Sequence, residues 1–258
     1  MRTPSSARIV SATVMTVILV GVAGVAAAQE DGAGSGHWSY EGVTGPTSWG
    51  SLEPDFAACA EGTSQSPVDI PGDAPIHPDD VIYDYRDTAV TIANNGHAIQ
   101  VDHDQGSSAR IDGTDYALQQ FHFHSPSEHT FAGENQAMEM HLVHADLDGD
   151  LAVIGVLLVE GAMNPAFEPI FENMPVEEGE PVTVEGVFVD MDDLLPDDRS
   201  YYGYEGSLTT PPCTEGVLWH MLARPVAVSA DQLGAFRAIF DGNNRPVQPM
   251  NDREFQRP

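Results

Sequence analysis

Gln120-Phe121-His122-Phe123-His124 is the stretch on which the reading of this chain turns. Polar and apolar residues alternate through it, which is the signature of a strand whose two faces meet different surroundings. Residues two apart on a strand share a face and lie about 6.5–7 Å apart along the chain. His122 and His124 therefore point together to one side, and Phe121 and Phe123 to an apolar layer on the other. Two imidazoles so placed can grip one metal ion. Zinc asks for about 2.0–2.1 Å to each nitrogen in a tetrahedral shell, so a third ligand has to come from another element.

Glu139-Met140-His141-Leu142-Val143-His144 offers that ligand. On a strand His141 shares a face with Glu139 and Val143, and His144 points the opposite way. A carboxylate beside a metal-binding imidazole accepts its second N–H, which fixes the tautomer and raises basicity. His141 is thus the expected third ligand, and His144 a buried, hydrogen-bonded residue. Three neutral imidazoles with an open fourth position form the pattern of catalytic zinc, whereas structural zinc sites are closed by four protein ligands. The two cysteines, Cys59 and Cys213, lack the spacing of a structural site.

Around these segments the chain reads as many short strands. Val81–Tyr85, Val90–Ala93, Ala98–Val101, Ala109–Ile111, Tyr116–His124 and Met138–Val143 are strand candidates. Leu151–Val159 and Val217–Leu222 are continuous apolar runs suited to buried strands. Asp112-Gly113 and Asp148-Gly149 are hairpin turns by composition. One helix stands out: Ser229 and Gln232 form a capping box, and Leu233, Phe236, Ile239 and Phe240 fall on one helical face. The expected architecture is mainly β with minor helices.

The 258 residues carry ten arginines, no lysine and forty acidic residues, a formal charge of −30. That balance argues against nucleic acid and anionic lipid as partners. Arg2 and Arg8 precede the almost wholly apolar or small stretch Ile9–Ala28, which ends Ala26-Ala27-Ala28. Residues 1–28 read as a signal peptide, with an uncleaved anchor as the alternative. Residues 29–36 read as a flexible segment. Residues 29–258 keep eight arginines and all forty acids, a formal −32. An exported chain with two cysteines suggests one disulfide, Cys59–Cys213. The loop so closed would be worth about 5 kcal/mol at most in the chain-entropy picture.

The same segments resemble the α-class carbonic anhydrases. Ser127-Glu128-His129-Thr130 and Ser207-Leu208-Thr209-Thr210-Pro211-Pro212-Cys213 add to the two histidine segments. So do His37-Trp38-Ser39-Tyr40, Gln65-Ser66-Pro67-Val68-Asp69-Ile70, Asn94-Asn95-Gly96-His97-Ala98 and Asn244-Arg245-Pro246-Val247-Gln248-Pro249, all in the family's order. The likeness runs from about 37 to 250. It implies one catalytic domain over 37–258, built on a large, mostly antiparallel twisted sheet. It also implies zinc-dependent, reversible hydration of carbon dioxide to bicarbonate and a proton, through attack by zinc-bound hydroxide.

By this resemblance His122, His124 and His141 hold Zn2+, with Gln120, Glu139 and the Asn243 carbonyl behind them. Thr209 donates to Glu128 and aims the nucleophile. Val143, Val153, Leu208, Val217 and Trp219 line the carbon dioxide site. His97 relays the proton, and Tyr40, Asn95 and Gln100 order the water on its path. Gln100 departs from the Asn common in well-known members. His129 and Tyr204 join a buried network beneath the site, and His37, His77, His103 and His220 have no assigned role.

Two rival functions remain from other classes: a noncatalytic binding module on the same fold, and a zinc hydrolase acting mainly on esters. The expected partner is the small-molecule substrate, with no stable membrane association after signal cleavage and a homodimer left open. The expected location is periplasmic or external, and the acidity points to a high-salt, halophilic setting.

Overall fold

The structure is a computed structural model and describes residues 37–257. Residues 1–28, read above as a signal peptide, and the segment 29–36 lie outside the described residues. Fourteen strands follow in chain order: β1 Asp69–Ile70, β2 Ile82–Asp84, β3 Thr88–Asn94, β4 Ile99–Asp102, β5 Ser108–Ile111, β6 Thr114–His124 and β7 Thr130–Phe131. They continue with β8 Glu134–Asn135, β9 Met138–Ala145, β10 Leu151–Glu160, β11 Val182–Val189, β12 Tyr201–Ser207, β13 Glu215–Leu222 and β14 Val226–Val228.

Eleven strands form one large mixed sheet in the order β11-β3-β4-β6-β9-β10-β13-β12, with β14 on β10 and β5 joining β2 to β6. Its pairs are antiparallel except where β10 meets β13 and β14. The remaining three make a small sheet, β1-β7-β8.

Register explains how the sheet presents the histidines. Gln100, His122, His141, Gly155 and Met221 are successive cross-strand partners. Asp102, Gln120, Val143, Val153 and Trp219 form the adjoining row two residues along each strand. Both rows share one face, because side chains alternate with period two. Phe121, Phe123, Met140, Leu142, Ile154 and Val156 face the other way. They pack in the main core with Phe167, Ile170 and Phe236. Burial of each such aromatic or aliphatic side chain is worth about 1.5–3 kcal/mol, so the strand that offers the imidazoles is anchored from behind.

The hairpins sit where the turn residues put them. Asp112 and Gly113 take φ of 49° and 84° between β5 and β6, the pairing of positive angles that a two-residue hairpin demands. In the β9–β10 turn the Asp146 carboxylate accepts from the Asp148 and Asp150 N–H groups. The helix Ala230–Arg237 starts at Ser229 with both halves of its capping box formed. It ends sooner than its apolar pattern: Ile239 and Phe240 lie beyond Arg237 and cover the core from the following turn. Six strands are not among the sequence-based candidates: the short β1, β7, β8 and β14, and the longer β11 and β12.

Candidate metal centre and active site

Three imidazoles converge from two paired strands. His122 stands opposite His141 in the β6–β9 ladder, and His124 follows on the same face of β6. Each ring is oriented by one nitrogen. His122 Nδ1 donates to Gln120 Oε1 at 2.8 Å, His124 Nδ1 to the Asn243 carbonyl at 2.7 Å, and His141 Nε2 to Glu139 Oε1 at 2.7 Å. The other nitrogens, Nε2 of His122 and His124 and Nδ1 of His141, are left free. The three side chains offer ligand atoms within 4.8 Å of one another.

Burial, then the neighbouring imidazoles, pushes His122 well below 6.5. Burial also lowers His124, with Glu128 opposing it and His141 adding to it. Both rings are thus neutral, as metal coordination requires. His124 Nε2 and Glu128 Oε2 are buried without a hydrogen-bond partner. An orphaned ring nitrogen facing two other free nitrogens is costly unless something binds there. The donor set, three neutral imidazoles, fits zinc.

The layer behind the ligands is a continuous hydrogen-bonded relay. Glu139 Oε1 also accepts from His129 Nδ1 at 2.6 Å, and its Oε2 from the His129 N–H at 2.8 Å. Burial opposes ionisation of Glu139, but the His129 and His141 imidazoles outweigh it and hold the carboxyl well below its ordinary range. With its Nδ1 proton committed to Glu139, His129 accepts at Nε2 from the Tyr204 hydroxyl at 2.6 Å. Tyr204 accepts from Ser66 Oγ at 2.8 Å, and Ser66 Oγ from the Ser207 N–H at 3.1 Å. The relay ends at the last residue of β12, where the Thr209 loop begins. Asn243 is held as firmly: its Oδ1 accepts from Ser125 N–H, and its Nδ2 donates to the Phe123 and His97 carbonyls.

Thr209 and Glu128 do not meet as expected. Both are buried, at 5% and 0% exposure, but Glu128 Oε2 has no hydrogen-bond partner. It lies 3.5 Å from His124 Nε2 and 3.9 Å from His141 Nδ1. Glu128 Oε1 accepts instead from the Arg245 backbone N–H at 2.7 Å. The second carboxylate oxygen therefore lies beside the free ring nitrogens and makes no hydrogen bond, to Thr209 or to any other described residue.

Arg245 was not foreseen as a site residue. Its guanidinium, 1% exposed, donates to Gln65 Oε1, the Ser66 carbonyl and the Cys59 carbonyl. Burial pushes it down to about 10, with Glu128 opposing. Its motif Asn244-Arg245-Pro246 was visible, but nothing local shows which carboxylate its N–H serves.

The profile of the eukaryotic-type carbonic anhydrases matches residues 44–257. The chain belongs to that family. A carbonic anhydrase of Klebsiella pneumoniae is 43% identical over 220 residues, 84% of this chain and 89% of that one. The α-carbonic anhydrase of Thermovibrio ammonificans, in complex with the inhibitor sulfanilamide, superposes with a TM-score of 0.82 at 42% identity. It covers 86% of this chain and 99% of that one. Dioscorin in complex with ascorbate has a TM-score of 0.77 at 31% identity, over 86% and 98% of the two chains.

An apolar cluster packs beside the imidazoles. Val153, Val217 and Trp219 are buried in one cluster, against which Val143 and Leu208 pack. Trp219 Nε1 donates to the Ser207 carbonyl at 3.0 Å, and its ring lies 4.9 Å from that of His141. The polar side of this carbonic anhydrase is built from the β3–β4 turn. Asn95 Oδ1 accepts from the His97 and Ala98 N–H groups, and its Nδ2 reaches Gln100 Oε1 at 3.4 Å. Gln100, in register with His122, also donates to Asp102 at 2.7 Å. The Tyr40 hydroxyl is buried and unpartnered. Burial, then Glu128, holds it well above 10, so it stays a neutral donor. His144 is outside the site: Tyr85 and the Leu142 carbonyl satisfy its ring. A disulfide joins Cys59 to Cys213, at the end of the Thr209 loop.

Proposed function

We propose that the protein hydrates carbon dioxide reversibly to bicarbonate and a proton, with zinc held by His122, His124 and His141. The observation that carries this is the set of three ring orientations. Gln120, Asn243 and Glu139 each occupy one nitrogen and leave the other free toward a common point. When bound, zinc supplies Lewis acidity that brings the ionisation of water toward neutral pH, an effect for which carbonic anhydrases are the standard example.

The chain's own residues supply the rest. Glu139, ionised and gripped by His129, keeps His141 in one tautomer and makes it a better donor. Val143, Val153, Leu208, Val217 and Trp219 form a dry wall suited to a small apolar substrate. The Thr209 hydroxyl would donate to Glu128 and accept from the nucleophile, orienting its lone pair. The free Glu128 Oε2 is the acceptor that such an arrangement needs. His97, whose imidazole can take up and give back one proton, carries the released proton toward solvent. Tyr40, Asn95 and Gln100 order the intervening water. The disulfide and the sequence of residues 1–28 support export to the periplasm or medium.

The test is stopped-flow carbon dioxide hydration by the purified chain from residue 29, before and after chelation and after zinc is restored. Fast hydration that vanishes with the metal and returns with zinc supports the reading. A folded, zinc-loaded protein without hydration activity overturns it in favour of a binding module or an ester hydrolase.

A further inference from the structure

The turn that carries His97 is clasped by a second loop, and that loop brings a carboxylate. Gly179 N–H donates to the Asn94 carbonyl at 3.0 Å, and Asn94 Nδ2 donates to the Val176 carbonyl at 3.0 Å. These bonds seat residues 176–179 on the end of β3. The Glu178 carboxylate then lies over Gly96, whose φ is +83°. A Cβ there would stand 3.0 Å from Glu178 Cδ and 3.1 Å from its Oε2.

The next residue is His97, its ring stacked on Trp38 at 3.6 Å between centroids and 9° between planes. His97 bonds through its backbone N–H and carbonyl, and its ring makes no hydrogen bond among the described residues. His97 and Glu178 line one cleft of about 340 Å3, and His122, His124 and His141 are not among its lining residues.

We propose that Glu178 is a positioning residue for proton export: its carboxylate is the charge partner of the His97 imidazolium, on the side from which a buffer base collects the proton. The proposal rests on the reading of His97 as the relay. The balance is one proton: the ring takes it from the site, becomes cationic, and returns to neutral on giving it to the base. Stacking on Trp38 removes water from one face of that cation, and a nearby carboxylate offsets the loss. Burial lowers His97 below 6.5, Glu178 opposes this, and His37 adds to the lowering. The other titratable groups around the ring are Tyr40 and Glu41, which line the same cleft. Glu41 and Glu178 are the two carboxylates of the cleft, and Glu178 is the one whose charge acts on the His97 ring.

The test compares zinc-loaded wild type, Glu178→Gln, His97→Ala and the double variant. Two quantities are read: the His97 titration by NMR, and the dependence of kcat and kcat/KM on pH and buffer concentration. In Glu178→Gln the His97 titration should move to lower pH. Its kcat should fall several-fold at low buffer concentration while kcat/KM moves less than twofold. Concentrated imidazole buffer should restore kcat, and adding the substitution to His97→Ala should change nothing further. An unmoved His97 titration, or an equal loss of kcat with and without His97, overturns the role of Glu178. If His97→Ala leaves kcat at low buffer intact, the relay reading itself falls, and the proposal with it.

Discussion

Glu139 shows how much one buried carboxylate does in this molecule. It accepts from His141, from the ring of His129 and from the His129 backbone. Glu139→Gln keeps the shape but puts a donor where two imidazoles already donate. Loss of such a partner costs about 10–100-fold in metal affinity, and a competition titration with a zinc chelator would read it; unchanged affinity would contradict this account of the network. His144 makes a prediction of another kind. Burial pushes it down to about 3 from 6.5. Above 6.5 both folded and unfolded chains hold it neutral, so it costs nothing. As pH falls below 6.5 the unfolded chain binds the proton first, and stability is lost by up to about 1.4 kcal/mol per pH unit, levelling off near pH 3. His220, pushed to about 4, mainly by burial, adds to the same slope. Urea denaturation from pH 7 to 4 should show that slope, and His144→Gln should flatten it.

At the level of elements, Gly155 is a position where the sheet has no slack. It is the β10 partner of His141. A Cβ there would lie 2.1 Å from Met221 Sδ and 3.6 Å from Glu139 Oε1. Gly155→Ala should therefore cost about 1–3 kcal/mol through overpacking, read by urea denaturation. Combined with Met221→Ala, the two losses should sum to less than their separate costs, because the second change removes the side chain that the first one strikes. This glycine could not be recognised from the apolar run Leu151–Val159, because the atom that excludes its side chain belongs to β13. The same reason separates what was legible from what was not. The ligand strands announced themselves, since Gln120–His124 and Glu139–His141 carry their pattern within a few residues. β11 did not: it is an edge strand with a register shift between Thr183 and Phe188, so its exposure does not alternate. β12 reads Tyr-Tyr-Gly-Tyr-Glu-Gly-Ser, and its pairing depends on β13. The bonds of Arg245 to Glu128, Gln65, Ser66 and Cys59 are contacts across more than a hundred residues, which no local spacing encodes.

For the molecule as a whole, charge is the unusual quantity. Arg86, Arg110, Arg199 and Arg224 pair with single aspartates, and Arg245 is buried, so most of the forty acids have no cation beside them. Their mutual repulsion reaches about 30 Å at 0.01 M salt and about 3 Å at 1 M. The thermal midpoint should rise as sodium chloride is added over that range, and sucrose at equal osmolality should not reproduce the rise. A midpoint indifferent to salt would remove the argument for a saline habitat. The disulfide acts at the same scale. Cys59 and Cys213 are 154 positions apart, and the three imidazoles, Glu128 and Thr209 all lie between them. That part of the chain is a covalent ring, with the fully exposed Leu147 on one of its turns. A protease that cuts there places the imidazoles on one peptide and Thr209 on the other, yet releases neither. The nicked enzyme should migrate as one species until a thiol is added, and only then come apart.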